Sequence, residues 1–256
     1  MNAEVLLMFV LGADRAYLYA HPEREFTPEE NARYDEALTQ RARGVPSQYI
    51  VGHQEFWGMD FIVTPAVLIP RPETEHVIET VLPLARSLDK PKVVDVGTGS
   101  GCIAIVLANE LPQAEICATE ISSEALEIAR ANAARLQFEH RIRFHHTDLL
   151  QGFDANAFDF VVSNPPYVGE SEEDQVQLEV RKFEPRHAVF AGPSGLEVIE
   201  RLIPQAQNTL KSGGWLVVEI SGTIAAGVRR LLGGWEDVRI ADDLQGIPRV
   251  ASARKP

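Results

Sequence analysis

From residue 92 onward the sequence alternates short β-branched runs with helical patterns, and few architectures accommodate that alternation. The strand candidates are residues 92–96, 115–119, 141–145, 158–163 and 215–220, with shorter ones at 238–241 and 249–252. Between them run helical stretches such as 123–136, which keeps Ala125, Ile128, Ala129 and Ala133 on one face. Strands that alternate with helices pair in parallel, and both faces of their sheet are covered by those helices. The expected class is α/β.

The chain before residue 92 reads differently. Leu6, Leu7, Phe9 and Val10 cluster in a first helical segment that ends at Gly12. Thr27-Pro28-Glu29-Glu30 then marks a helix start, because Thr27 can cap, Pro28 suits the first helical position and Glu30 falls three residues after the cap. That helix runs to about Arg43, before Gly44 and Pro46. Residues 48–52 and 56–63 are rich in aromatic and β-branched residues around glycines, which predicts a hairpin. Pro65, Pro70 and Pro72 then lead into a helix over 73–88. The expected organisation is a helical N-terminal domain (1–46), a hairpin linker (47–72) and the α/β domain (73–256).

Val93-Val94-Asp95-Val96-Gly97-Thr98-Gly99-Ser100-Gly101 is an apolar strand running into a glycine turn and a helix. Glycines let the chain turn tightly and bring a ligand against bare backbone, and the following helix start offers free N–H groups. The dinucleotide fingerprint would require glycine where Cys102 stands, so the pattern points away from a pyrophosphate. Glu120, ending the next strand, can accept from both hydroxyls of a ribose. Asp148, after the third strand, can accept from an adenine amino group. The bland alternatives are a simple tight turn, a helix-start acid beside the capping Ser122, and a solvated loop aspartate.

Ser163-Asn164-Pro165-Pro166-Tyr167 follows the fourth strand. An amide nitrogen is a poor nucleophile because its lone pair is delocalised. An enzyme that alkylates it must hold the NH₂ group with two acceptors, which also stabilise the charge developing on nitrogen. The Asn164 side-chain oxygen and the Pro165 carbonyl can serve, with Pro166 stiffening the turn and the Tyr167 ring free to stack on a planar amide. The competing reading is an ordinary Asn-Pro turn.

Lys plus Arg is 24 and Asp plus Glu is 37, a formal net charge of −13. Binding that rests on phosphate contacts needs concentrated basic side chains, so nucleic acid is disfavoured as the main partner and a basic protein surface is favoured. The acidic stretch Glu170, Glu172, Glu173, Asp174 and Glu179 points the same way, unless it is a solvated helix face. Cys102 and Cys117 sit in apolar runs and read as core residues in a reducing compartment. The apolar run 5–11 is too short to span a bilayer, and Glu4 precedes it where a signal peptide carries positive charge, so a cytoplasmic protein is expected. His145-His146 lacks the further ligands of a metal site, and no metal is expected.

With these motifs the sequence resembles the class I S-adenosylmethionine methyltransferases. More closely, it resembles the bacterial release factor glutamine methyltransferases, the HemK or PrmC family. Residues 48–52, Glu55-Phe56-Trp57-Gly58 and the stretch 67–75 (VLIPRPETE) carry the narrower likeness, which runs over about residues 3–252. The resemblance implies a seven-stranded Rossmann-like core with one antiparallel strand, a small N-terminal helical domain that grips the partner, and a connecting β-hairpin. It implies S-adenosyl-L-methionine as cofactor, held by Asp95, Gly97, Thr98, Gly99, Ser100, Gly101, Glu120, Ile121, Asp148, Leu149 and Asn164. It places the acceptor glutamine against Asn164, Pro165, Pro166 and Tyr167, with Arg71, Glu73 and Thr74 nearby. The implied reaction is N5-methylation of the glutamine in the Gly-Gly-Gln loop of peptide chain release factors.

Two departures stand out. Relatives usually carry a further helix before the Asn2–Leu7 segment, so the N-terminal domain is expected to be short by one element. Glu219-Ile220-Ser221-Gly222 departs from the Glu-x-Gly-x-x-Gln pattern associated with the fifth strand, and no role is assigned there. The rival readings are an adenine-N6 DNA or RNA methyltransferase using the same Asn-Pro-Pro-Tyr chemistry, and a non-catalytic adenosine-binding scaffold. Retention of Asn164 and the glycines argues against the scaffold.

Overall fold

The computed structural model describes residues 2–256. Four helices come first: α1 (Asn2–Leu11), α2 (Arg15–Ala20), α3 (Pro28–Ala42) and α4 (Ser47–Val51). Leu6 and Val10 of α1 are buried, as is Ala37 of α3. The capping box forms as the sequence indicates: Thr27 Oγ1 accepts from the Glu30 N–H at 3.2 Å, and Glu30 Oε2 accepts from the Thr27 N–H at 2.9 Å.

Residues 48–52 do not join the hairpin. They form α4 and its left-handed cap at Gly52, with φ +80°. Pro46 fixes the entry to this turn, and the Tyr49 hydroxyl donates to the Val67 carbonyl at 2.6 Å. Tertiary contacts thus override the strand preference of Tyr49, Ile50 and Val51. The hairpin is the shorter pair β1 (His53–Phe56) and β2 (Met59–Ile62). Its turn places Trp57 at φ +53° and Gly58 at φ +71°, the sign pattern that matches strand twist in a two-residue loop.

A single 3-10 turn, Pro72–Thr74, leads into α5 (Glu75–Ala85). The α/β region follows as β3 (Lys92–Val96), α6 (Cys102–Glu110), β4 (Glu115–Glu120), α7 (Ser123–Arg135), β5 (Ile142–His146) and β6 (Phe158–Ser163). A flap of short pieces comes next: β7 (Val168–Gly169), a 3-10 stretch, α8 (Leu178–Phe183), α9 (Arg186–Val189) and β8 (Phe190–Gly192). Then come α10 (Glu197–Thr209), β9 (Leu210–Glu219), α11 (Ala225–Leu231), β10 (Glu236–Asp242) and β11 (Pro248–Arg254).

Seven strands form one sheet in the order β10-β11-β9-β6-β3-β4-β5. β11 runs antiparallel to both neighbours, and the other pairings are parallel. Side chains along each strand alternate between two apolar layers. Val93, Ile116, Phe160 and Val217 face one layer with α5 and α6, whereas Val94, Cys117, Val161 and Leu216 face the other with α10 and α11. Both cysteines are buried. β3 has β4 on one side and β6 on the other, so the chain order reverses there and a crevice opens beyond the strand ends. No helix among the described residues is long and apolar enough to cross a membrane.

Candidate active site

The turn after β3 is pinned before it meets any ligand. The Gly97 and Thr98 N–H groups both donate to the Thr119 carbonyl at the end of β4, at 2.9 Å. Gly97 and Gly99 take φ +69° and +53°, and a side-chain carbon at either would meet no atom within 4 Å. Bare backbone therefore faces open space. Gly101, at φ +84°, has a different duty, since a side-chain carbon there would lie 3.2 Å from Ala129 Cβ and Ile105 Cδ1. It lets the start of α6 pack on α7.

Asp95 does not reach the cavity. It is fully buried, and its Oδ2 accepts from Thr98 Oγ1 at 2.6 Å and from the Ala104 N–H at 3.2 Å. Burial pushes its carboxyl up to about 7, against those hydrogen bonds. It shapes the loop from behind.

Glu120 ends β4 and is nearly buried. Its Oε2 accepts from the Gly99 N–H at 2.9 Å, and its Oε1 accepts from the Ile121 and Ser122 N–H groups at 2.9 and 3.0 Å. Those contacts aim the carboxylate into the crevice. Beside it Ile121 leaves 57% of its surface exposed and lines the cavity with apolar surface. Asp148 follows β5 and pairs with Arg201 of α10. Leu149 sits at φ +51°, a left-handed conformation costing a side-chain-bearing residue about 1 kcal/mol.

The Asn164 turn lies beside the glycine turn, on the neighbouring strand. Ser163 Oγ donates to the Val96 carbonyl at 2.7 Å and ties the ends of β6 and β3 together. Asn164 Nδ2 donates to Thr74 Oγ1 at 3.0 Å. Tyr167 turns from the cavity, and its hydroxyl donates to Glu219 Oε1 at 3.0 Å. Arg71 faces the cavity while paired with Glu184, which is buried and also accepts from the Ile69 N–H at 3.1 Å.

One cavity of about 320 Å³ gathers these groups. Gly97, Thr98, Gly99, Ser100, Glu120, Ile121, Asp148 and Leu149 line it. Asn164, Pro165, Pro166, Arg71 and Thr74 line it as well. Asp95, Gly101, Tyr167 and Glu73 stand outside the wall. The structure adds Arg201, His187 and Phe190, from α10, α9 and β8, which carry no local motif. Glu184 and Glu219 also lie outside the sequence motifs. A lone acid ending the apolar run Leu216-Val217-Val218 is the signal that points to Glu219. The acidic stretch after Tyr167 is partly neutralised: Glu173 pairs with Arg186, Asp174 with Arg181, and Glu179 with Arg41 of α3. His145 stacks edge-on to Phe153, and His146 Nε2 meets the Ile121 carbonyl at 2.9 Å.

Two family models match this chain: the methyltransferase small domain over residues 76–182, and the PrmC N-terminal domain over residues 1–52. A release factor glutamine methyltransferase from Koribacter versatilis is 55% identical over the whole chain, which covers 91% of that protein. The chain belongs to the release factor glutamine methyltransferase family. A second member, from Chlorobaculum tepidum, is 44% identical over 97% of the chain and 88% of its own length. Among solved structures, the hMettl16 catalytic domain superposes with a TM-score of 0.62 over 94% of this chain and 92% of that one. At 18% identity that likeness concerns the fold alone. The family's chemistry is methyl transfer, and the chain is an enzyme with a methyltransferase domain.

Proposed function

We propose that this enzyme methylates the side-chain amide nitrogen, N5, of the glutamine in the Gly-Gly-Gln loop of peptide chain release factors, with S-adenosyl-L-methionine as donor. One observation carries the reading. Asn164 commits its NH₂ group to Thr74 at 3.0 Å, which leaves its carbonyl oxygen to accept, and both Asn164 and Pro165 line the cavity.

The donor set fits the cofactor. Gly97 and Gly99 leave a cradle that any side chain would fill, and Glu120 and Asp148 supply acceptors for ribose hydroxyls and an adenine amine. Ile121 and Leu149 supply apolar wall. When bound, the cofactor supplies a sulfonium-activated methyl group.

Asn164 and Pro165 do the orienting. Their two carbonyl oxygens accept the two N–H bonds of the glutamine amide and hold its nitrogen lone pair toward the methyl group. Nitrogen becomes positive as it gains the methyl, and the same acceptors stabilise that charge. The extra proton leaves afterwards, so no general base is needed in the transition state. Pro166 stiffens the turn, and Tyr167 anchors it from behind through Glu219. The net charge of −13 suits a basic protein partner better than a phosphate backbone.

The test is transfer of labelled methyl to a purified release factor, beside a copy whose Gly-Gly-Gln glutamine is replaced, with duplex DNA and ribosomal RNA in parallel. Label on the intact factor alone supports the reading; label on nucleic acid alone moves the acceptor to an exocyclic amine. Asn164→Ala should abolish turnover while leaving cofactor binding largely intact, and a near-normal rate would remove Asn164 from its role.

A further inference from the structure

Helix α10 grips the loop that follows β5 at two points. Gln205 Oε1 accepts from the Leu150 N–H at 3.0 Å. Arg201, one turn earlier on the same helix face, pairs through Nη2 with Asp148 Oδ2. The two grips fall on either side of Leu149, the residue at φ +51°. Arg201, Asp148 and Leu149 all line the cavity, as does Val198 of the same helix.

The two grips do different work. The loop backbone has ties of its own, since the Thr147 N–H donates to the Glu120 carbonyl at 3.0 Å and the Thr147 hydroxyl to the Gln151 carbonyl at 3.1 Å. With Gln205 on Leu150 as well, the chain keeps its course without Arg201. The Asp148 carboxylate is held far less well by its own loop, because Gln151 Nε2 reaches it only at 3.5 Å, the limit of a hydrogen bond. Arg201 therefore fixes the direction of the carboxylate and not the path of the chain. Both donors approach Oδ2, so Oδ1 is the oxygen left to accept.

A carboxylate with one oxygen committed is a reader of purines. Ionised, it accepts and cannot donate. It takes a hydrogen from the 6-amino group of adenine and repels the 6-oxo group of hypoxanthine, which shows it only lone pairs. Without its partner the same carboxylate, whose side chain is 28% exposed, is free to turn away into solvent. Granted the S-adenosylmethionine donor proposed above, we infer that Arg201 is a positioning residue for base recognition, holding Asp148 by Oδ2 so that Oδ1 meets the adenine amine. Adenine is thus selected by a pair drawn from two elements, the loop after β5 and helix α10.

The experiment titrates S-adenosyl-L-homocysteine and its 6-oxo analogue, S-inosyl-L-homocysteine, by calorimetry. The proteins are the wild type, Arg201→Met, Arg201→Lys and Asp148→Asn, with urea unfolding as the control for the fold. A hydrogen bond to a charged acceptor is worth about 10- to 100-fold in affinity, and the wild type should prefer the adenosyl ligand by that much. Arg201→Met should lose most of the preference with unfolding unchanged, and Arg201→Lys should recover part of it. In Asp148→Asn the guanidinium claims the amide oxygen and leaves the NH₂ group for the base, so the preference should pass to the inosyl ligand. Adding Arg201→Met to that variant should level the two ligands, because the amide can then turn either way. Adenosyl binding whose preference survives Arg201→Met overturns the inference. So does tighter adenosyl binding in Arg201→Met, or an Asp148→Asn protein that still prefers the adenosyl ligand. A wild type that binds neither ligand removes the cofactor reading, and the inference with it.

Discussion

Asn132, in the middle of α7, donates through Nδ2 to the Ser100 carbonyl at 2.9 Å and so holds the glycine loop to a helix 32 residues away. The same side chain clasps β2, donating to the Ile62 carbonyl at 3.0 Å and accepting from the Ile62 N–H at 2.7 Å. One fully buried amide therefore ties the hairpin to the glycine turn. Asn132→Ala would leave these backbone groups without partners. We expect a loss of about 3 kcal/mol in urea unfolding and a weaker cofactor titration. Unchanged cofactor affinity would mean the loop keeps its shape without the clasp.

Gly97 and Gly101 should fail in different ways. Alanine at 101 adds left-handed strain to contacts of 3.2 Å with Ala129 and Ile105, so stability should drop by about 2 kcal/mol or more. Alanine at 97 meets open space in the protein, so it costs strain alone, about 1 kcal/mol, but fills the cradle. Calorimetry should show Gly97→Ala losing cofactor affinity out of proportion to its stability. Equal behaviour of the two variants would contradict the division of labour.

Glu184 holds the Ile69 N–H and the Arg71 guanidinium from one buried position. Burial pushes its carboxyl up and Arg71 pulls it down, with burial the larger effect. Glu184→Ala leaves both partners stranded and should cost about 2–4 kcal/mol in chemical denaturation. Arg71→Ala should cost less, because Glu184 can take a proton in response. It should instead raise KM for the protein acceptor with cofactor binding unchanged. A KM that stays put would free Arg71 from substrate contact.

Glu219 couples stability to pH. Its folded pKa, about 7, lies above the ordinary 4.5, so folding takes up a proton. Its stabilising contribution is then present below pH 4.5 and lost as pH rises through 7. Glu219→Gln should raise the unfolding free energy at pH 8, by on the order of 3 kcal/mol at most, and change it little at pH 4. Paired denaturation curves at the two pH values check this. A variant less stable than wild type at pH 8 would show that the Tyr167 contact outweighs burial.

Legibility in the sequence followed the range of the forces involved. Strands β3 and β6 appear in the structure at their expected residues, because strongly apolar β-branched runs bounded by turn residues leave little choice. The Thr27 cap was readable because its partners lie three residues apart. Residues 48–52 were not, since Pro46 and the distant Val67 carbonyl decide their helix.

The site divides the same way. By itself the sequence determined the alternation that makes a parallel sheet, the glycine turn after β3, the acid ending β4 and the Asn-Pro-Pro-Tyr turn after β6. Each is a property of a few consecutive residues and their backbone preferences. Only the tertiary structure decided that Asp95 and Gly101 serve the loop from behind, that Tyr167 turns from the cavity to Glu219, and that Thr74 holds Asn164 across 90 residues of chain. Burial and hydrogen-bond completion made those choices, and both depend on which strand ends the sheet order brings to one crevice.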